Sequence, residues 1–273
     1  LALALFSYVI TGIIMDIKWT DVLKYSVIPK ISDQEKFLTV LVAIFGATIS
    51  PYLFFWQASQ EIEEVNNTPN EFPLNKAPEQ ASKQLKRIQL DTYIGMAFSN
   101  IVAFFIILTT SVTIFANNPI EINSASQAAE ALKPLAGEFA FLLFSAGIIG
   151  TGLLAIPILA GSAAYAVGEV LRWQIGLEEK PRKAKGFYSI IAFSTLIGLS
   201  LNFTPINPIQ ALFWSAVING FIAVPVMVVL MLLSSSRKVM GRFRIPFMLR
   251  FIGWISTFAM LIVVMILLFL WIN

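Results

Sequence analysis

Residues 37–60 read Phe-Leu-Thr-Val-Leu-Val-Ala-Ile-Phe-Gly-Ala-Thr-Ile-Ser-Pro-Tyr-Leu-Phe-Phe-Trp-Gln-Ala-Ser-Gln. The run carries no charge and exceeds the roughly 20 residues an α-helix needs to cross a hydrocarbon core of about 30 Å. Its middle is not that of a plain spanning helix. Gly46 and Pro51 bracket Ala47-Thr48-Ile49-Ser50. Pro51 has no N–H to donate and clashes with the carbonyl one turn earlier, so carbonyls at 46–48 lose their helical partners. At bilayer depth such carbonyls persist only when buried in protein or lining a cavity, where they can hold a cation. An opening here presents the Ala47 carbonyl and the Ser50 hydroxyl to one point, with Thr48, Tyr52 and Gln57 nearby. A proline kink that only bends the helix is the competing reading. The polar residues crowded beside it, Thr48, Ser50, Gln57, Ser59 and Gln60, favour a functional break, since a lipid-facing kink needs none of them.

The rest of the chain supplies the setting. Of its 273 residues 57% are hydrophobic and 13% charged, and the mean hydropathy is +0.78. A soluble domain is about 45–50% apolar and about 25% charged. Uncharged or nearly uncharged runs fall at 1–15, 37–60, 92–116, 139–171, 187–203, 208–234 and 251–273, and only Glu169 places a charge inside one. The alternating polarity of barrel strands is absent. The expectation is an all-α integral membrane protein, one transmembrane helical domain over 1–273 with seven spans. With no Cys and no His, thiolate sites, His-ligated metals and His-based catalysis are excluded. There is no phosphate loop and no dinucleotide fingerprint, so neither an enzyme nor an ATP-driven pump is expected.

Lys and Arg set the sides of the membrane. Segments 61–91, 172–186 and 235–250 hold 14 of them, against five in the opposite loops (Lys18, Lys24, Lys30, Lys36 and Lys133). Positive charge collects on the cytoplasmic side. Residue 1 is therefore expected to start in the cytoplasm and Asn273 to end outside a cell membrane. Topology accounts for the net charge of +3 without a nucleic-acid partner. The chain opens Leu-Ala-Leu-Ala on a short apolar run, which reads as a fragment cut inside a helix. Asn219, mid-span, reads as an interhelical hydrogen bond or as lining an ion path. Glu169 is expected to pair with Arg172, the Glu61–Glu64 run to form a solvated helix end, Gly147, Gly150 and Gly152 to allow helix packing, and 117–137 to hold a short surface helix.

At Gly46-Ala47-Thr48-Ile49-Ser50-Pro51-Tyr52 the chain resembles the natural resistance-associated macrophage protein (Nramp) family of divalent-metal transporters. There the sixth helix breaks in a context like Gly-Ala-Thr-Val-Met-Pro-His. The resemblance implies helices five to eleven of a LeuT-like inverted-repeat transporter, that is, the second repeat plus flanking helices, with helices one to four of the same chain missing. It also implies that the ligating carbonyl falls on Ala47, the thioether ligand position on Ser50, and two family histidines on Tyr52 and Gln57. The Asp-Pro-x-Asn half of the family site does not occur here. A hydroxyl in place of sulfur suits hard ions such as Mg²⁺ and Mn²⁺, and loss of the histidines removes groups that titrate near neutral pH. In this the chain resembles the Nramp-related magnesium transporter subgroup. The expected activity is divalent-cation transport by alternating access without evident proton coupling. The transported Mg²⁺ or Mn²⁺ serves as cargo, no other cofactor is implied, and the bilayer is the setting. An organic-solute transporter of the same fold and a non-transporting membrane scaffold are the alternatives.

Overall fold

A computed structural model describes residues 5–29, 31, 33–115, 124–133 and 137–272. The only regular secondary structure among the described residues is helical. In chain order the α-helices are α1 Phe6–Ile14, α2 Trp19–Val27, α3 Gln34–Ile49, α4 Tyr52–Asn67, α5 Ala81–Thr110, α6 Ala125–Ala129, α7 Ala140–Val170, α8 Lys185–Ser200, α9 Pro208–Ser235, α10 Arg237–Met240 and α11 Phe247–Ile272. Among the described residues six stretches are long and apolar enough to cross a membrane: Gln34–Asn67, Pro78–Thr113, Gly137–Val170, Lys185–Phe203, Pro208–Ser235 and Phe247–Ile272. The first expected span contributes only the nine-residue α1; its residues 1–4 lie outside the described set.

Lipid as solvent is legible on these helices. Leu142, Ile149, Leu154, Leu212 and Phe269 are all more than half exposed, a surface no soluble monomer presents on this scale. Several hydroxyls of the spans pair within their own helix. Thr109, Thr151, Ser162, Thr195 and Thr257 each donate to the carbonyl four residues back, at 2.6–2.8 Å. Where water is absent, that local bond lets a polar residue sit in a spanning helix.

The chain forms two compact units, Leu1–Val22 with Phe55–Phe203, and Leu23–Phe54 with Thr204–Asn273. In the first, α1 lies on α5 and α7 on α8. One core gathers Tyr8, Leu132 and Ala140 with Phe105 and Phe144; a second gathers Ala164, Tyr165, Ala184 and Phe187 with Trp56. The expected surface helix in 117–137 is not purely superficial, because Ala129 at the end of α6 and Leu132 just after it are buried. Gly147 and Gly150 are buried as helix packing requires, but Gly152 faces open space, and Gly161 marks a close approach, since a Cβ there would run into the Trp56 ring.

In the second unit α3 packs along α9, and both touch α11. Leu38, Val42 and Ala43 of α3 meet Val217, Ala223 and Val224 of α9 and Met260, Val264 and Leu267 of α11. The ends of both partner helices are capped by their own sequence. Asp33 accepts the Lys36 N–H at 3.1 Å ahead of α3; Asn207 accepts the Ile209 N–H at 2.9 Å, with Pro208 opening α9.

Candidate cation site at a broken helix

The apolar face of α3 repeats at Leu38, Val42 and Gly46, one turn apart, and turns this edge toward α9. Lipid gives helices no hydrophobic reason to associate, so close backbone approach has to supply the contact. Here it does. A Cβ on Gly46 would overlap the Ala216 carbonyl and the Gly220 amide, and a Cβ on Gly220 would overlap Val42. Two glycines, one on each helix, let the backbones touch a single turn before the break.

The break itself lies between Ile49 and Tyr52. Ser50 takes the left-handed conformation (φ 46°, ψ 69°), where its N–H still reaches the Gly46 carbonyl at 3.1 Å. Pro51 offers no N–H, so the Ala47 carbonyl loses its i+4 donor. The Ser50 hydroxyl takes that place, donating to the Ala47 oxygen at 2.5 Å. Among the described residues no backbone donor reaches the Thr48 or Ile49 carbonyl. The chain re-enters a helix through Leu53 N–H to Ser50 O (2.8 Å) and Phe54 N–H to Pro51 O (3.3 Å). Ser50 is only 4% exposed, while Ala47 and Thr48 remain open on the other side. A non-glycine residue held in this region costs about 1–2 kcal/mol, and such strain concentrates at functional sites.

The expected residues are thus placed unevenly. Ala47 and Ser50 meet directly, with Gly46 and Pro51 framing them. Thr48 turns its hydroxyl back to the Ile44 carbonyl at 2.7 Å. Tyr52 is half-buried at the start of α4 and makes no side-chain hydrogen bond among the described residues. Gln57 belongs to the other unit, where its amide makes a long contact, 3.5 Å, with the Thr92 hydroxyl. Asn219, next to Gly220, is half-buried and makes no interhelical hydrogen bond among the described residues. Glu169 and Arg172 meet only through the Arg172 N–H and the Glu169 carbonyl, at 3.1 Å, and form no ion pair there. No group of three or more acidic side chains is placed to hold a metal among the described residues. The oxygens that the described residues bring together at the break, the Ala47 carbonyl and the Ser50 hydroxyl, are neutral.

A polar network at the far end of α4 is invisible in the sequence pattern. Tyr165, 1% exposed, donates to Glu63 at 2.6 Å and accepts from the Gln60 amide at 3.1 Å and the Leu177 N–H at 3.3 Å. Arg87 pairs with both Glu61 and Glu64, and Asn67 donates to Glu178. The Glu61–Glu64 run is therefore a tied helix end rather than a loose solvated one. Gln60, Glu63, Glu64, Asn67 and Glu178 line a cavity of about 430 Å³. These contacts put segments 61–68 and 172–179 on the same side. The only cue in sequence is a tyrosine set among small residues in Gly-Ser-Ala-Ala-Tyr-Ala. Tyr165→Phe keeps the ring edge packed on Trp56 and Phe187 but leaves the Gln60 amide without its acceptor. The expected loss is about 1–3 kcal/mol, read as a lower thermal midpoint in detergent; an unchanged midpoint would mean that the hydroxyl network adds nothing.

The model of a family described as natural resistance-associated macrophage protein-like matches residues 1–270. A protein of Caldanaerobacter subterraneus subsp. tengcongensis named divalent metal cation transporter MntH is 24% identical over 246 residues, covering 89% of this chain and 53% of that protein. The chain spans about half the length of this curated relative.

Proposed function

Since the chain belongs to the natural resistance-associated macrophage protein-like family, we propose that it forms part of a secondary transporter that carries divalent cations by alternating access around the break between α3 and α4. One observation carries this reading: in an otherwise continuous membrane-length stretch, the Ala47 carbonyl and the Ser50 hydroxyl lie 2.5 Å apart. Two cis oxygens in a Mg²⁺ shell at 2.0–2.1 Å sit about 2.9 Å apart, so the pair needs to open only slightly, with the Ser50 proton rotating away from Ala47. Both oxygens then turn a lone pair to the ion. The donor set is hard and neutral, which suits Mg²⁺ and Mn²⁺ better than softer metals. Retained water and further oxygen ligands complete the coordination shell. Asn219, Thr48, Tyr52 and Gln57 furnish polar points along the path. Tyr52 and Gln57 bring no imidazole, the group that titrates near neutral pH, which speaks against proton coupling at this break. The basic loops place residue 1 on the cytoplasmic side and Asn273 outside, in the cell membrane.

Sealed liposomes holding the full-length protein test this. Mn²⁺ entry is expected to be inhibited by millimolar Mg²⁺ and to proceed without acidification of the lumen. Mn²⁺ entry that ignores Mg²⁺ and brings protons would overturn the hard-ion, uncoupled reading. No metal entry by correctly folded protein would overturn metal transport itself and bring organic solutes forward.

A further inference from the structure

The three basic segments of the chain are not alike. Segment 61–91 carries four cations against six carboxylates, and 172–186 five against two. Segment 235–250 carries Arg237, Lys238, Arg242, Arg244 and Arg250 with no carboxylate at all, and no Asp or Glu occurs anywhere from 180 to 273. No ion pair reaches any of these five among the described residues. Orienting a loop toward the cytoplasm requires positive charge; it does not require that the charge be gathered around a hollow.

The structure gathers it. Gly241, in a positive-φ conformation (54°), turns the chain after α10, and the Ile245 N–H clamps the returning strand to the Ser234 carbonyl at 3.3 Å. This fold-back leaves a cavity of about 420 Å³ lined by Arg242, Arg244 and Arg250 together with Ser235 and Phe247. The Ser235 hydroxyl is buried there and has no hydrogen-bond partner. The first amides of the 26-residue α11 also open here, since the first backbone bond of that helix runs from Arg250 back to Pro246, at 3.0 Å. Guanidinium forks, an unsatisfied hydroxyl and a helix N-terminus together form a donor set for a phosphate oxyanion. Two arginines are steadied by rings, Arg242 over Phe243 at 5.1 Å and Arg250 over Phe247 at 5.6 Å.

What lies beside the cavity decides which phosphate. Phe247 (72%) and Met248 (73%) are among the most exposed large apolar side chains in the molecule, and Phe251 continues the surface one turn on, stacked on Phe247. A soluble anion has no use for that border; an acyl chain does. We propose that the Arg242–Arg244–Arg250 cavity binds the phosphodiester headgroup of an anionic phospholipid, whose acyl chains lie along Phe247, Met248 and Phe251. The bound lipid supplies the counter-charge that residues 180–273 lack, and it anchors the turn between α9 and α11 at the membrane surface. This rests on the membrane reading of the chain and not on which solute is carried.

Native mass spectrometry of the full-length protein with dioleoyl phosphatidylglycerol or dioleoyl phosphatidylcholine provides the test. The wild type is expected to retain phosphatidylglycerol in preference, and less of it as salt is raised. Arg242→Gln, Arg244→Gln and Arg250→Gln are each expected to weaken it about five-fold. Gln in place of Lys180, Lys183 and Lys185 should leave retention unchanged. Arg244→Lys should recover only part of the loss, because a lysine keeps the charge but not the fork. Equal retention of the two lipids, or undiminished phosphatidylglycerol binding in the Gln variants, would overturn the site. Displacement by an equal concentration of inorganic phosphate would assign it to a soluble anion and overturn the lipid. Wild-type selectivity and its salt dependence decide the matter even where a variant fails to fold.

Discussion

Replacing Gly46 by alanine is expected to lower the thermal midpoint of the full-length protein by about 6–12 °C, taking about 3 kcal/mol for the overpacking. The size follows from what the new methyl meets. A flexible side chain could swing aside, but the Ala216 carbonyl and the Gly220 amide belong to the backbone of α9, so one helix has to move bodily from the other. That movement would also loosen Leu38, Val42 and Ala43 from their partners on α9 and α11. Gly220→Ala is expected to cost a similar amount through Val42. The double variant should cost less than the sum of the two, because helices already parted by one methyl have room for the next. Gly152→Ala serves as control: its Cβ would enter open space, and the better helix propensity of alanine should leave the midpoint equal or slightly raised. Circular dichroism or fluorescence melting in detergent reads all four. A Gly46→Ala protein that melts with the wild type would show that the backbones at this crossing are not in contact.

This crossing also marks the limit of what could be read from the sequence. The helical class was written in composition, and the break in Gly46 and Pro51, because a missing N–H acts within one turn and needs no knowledge of the rest of the fold. The pairing of Ala47 with Ser50 was legible for the same reason. Gly220 as the partner of Gly46 was not: a glycine in a span is compatible with many neighbours, and only the register of α3 on α9 selects one. Glu61, Glu63 and Glu64 read as a solvated helix end because their partners, Arg87 and Tyr165, come from two other helices. Leu132 lies in a polar-looking connection and is nevertheless buried against Tyr8. The left-handed conformation of Ser50 was hidden as well, since serine carries no general preference for that region, where glycine is the usual occupant.

That conformation makes Ser50 the most informative position for function. Ser50→Gly is expected to reduce the apparent affinity for transported Mn²⁺ about ten-fold while leaving the protein as stable or more so. Glycine relieves the left-handed backbone of a cost of about 1–2 kcal/mol, and it removes the hydroxyl that holds the Ala47 carbonyl in place. Losing one oxygen from the ion's shell is taken at about 1.4 kcal/mol, a factor of ten in affinity. Ser50→Ala loses the same hydroxyl but keeps the backbone cost, so transport should fall equally without any gain in midpoint. The two variants together separate the conformation from the chemistry. Ser50→Met replaces a hard oxygen with a thioether, and Mg²⁺ should then compete less well for Mn²⁺ entry while softer ions such as Cd²⁺ compete better. Uptake into liposomes under competition measures each of these. If Ser50→Gly carries Mn²⁺ with wild-type apparent affinity, the hydroxyl is not at the ion, and the 2.5 Å bond to Ala47 serves only to cap a broken helix. If instead Ser50→Gly and Ser50→Ala fall together and Ser50→Met changes which ion competes, the same oxygen both caps α3 and selects the cargo.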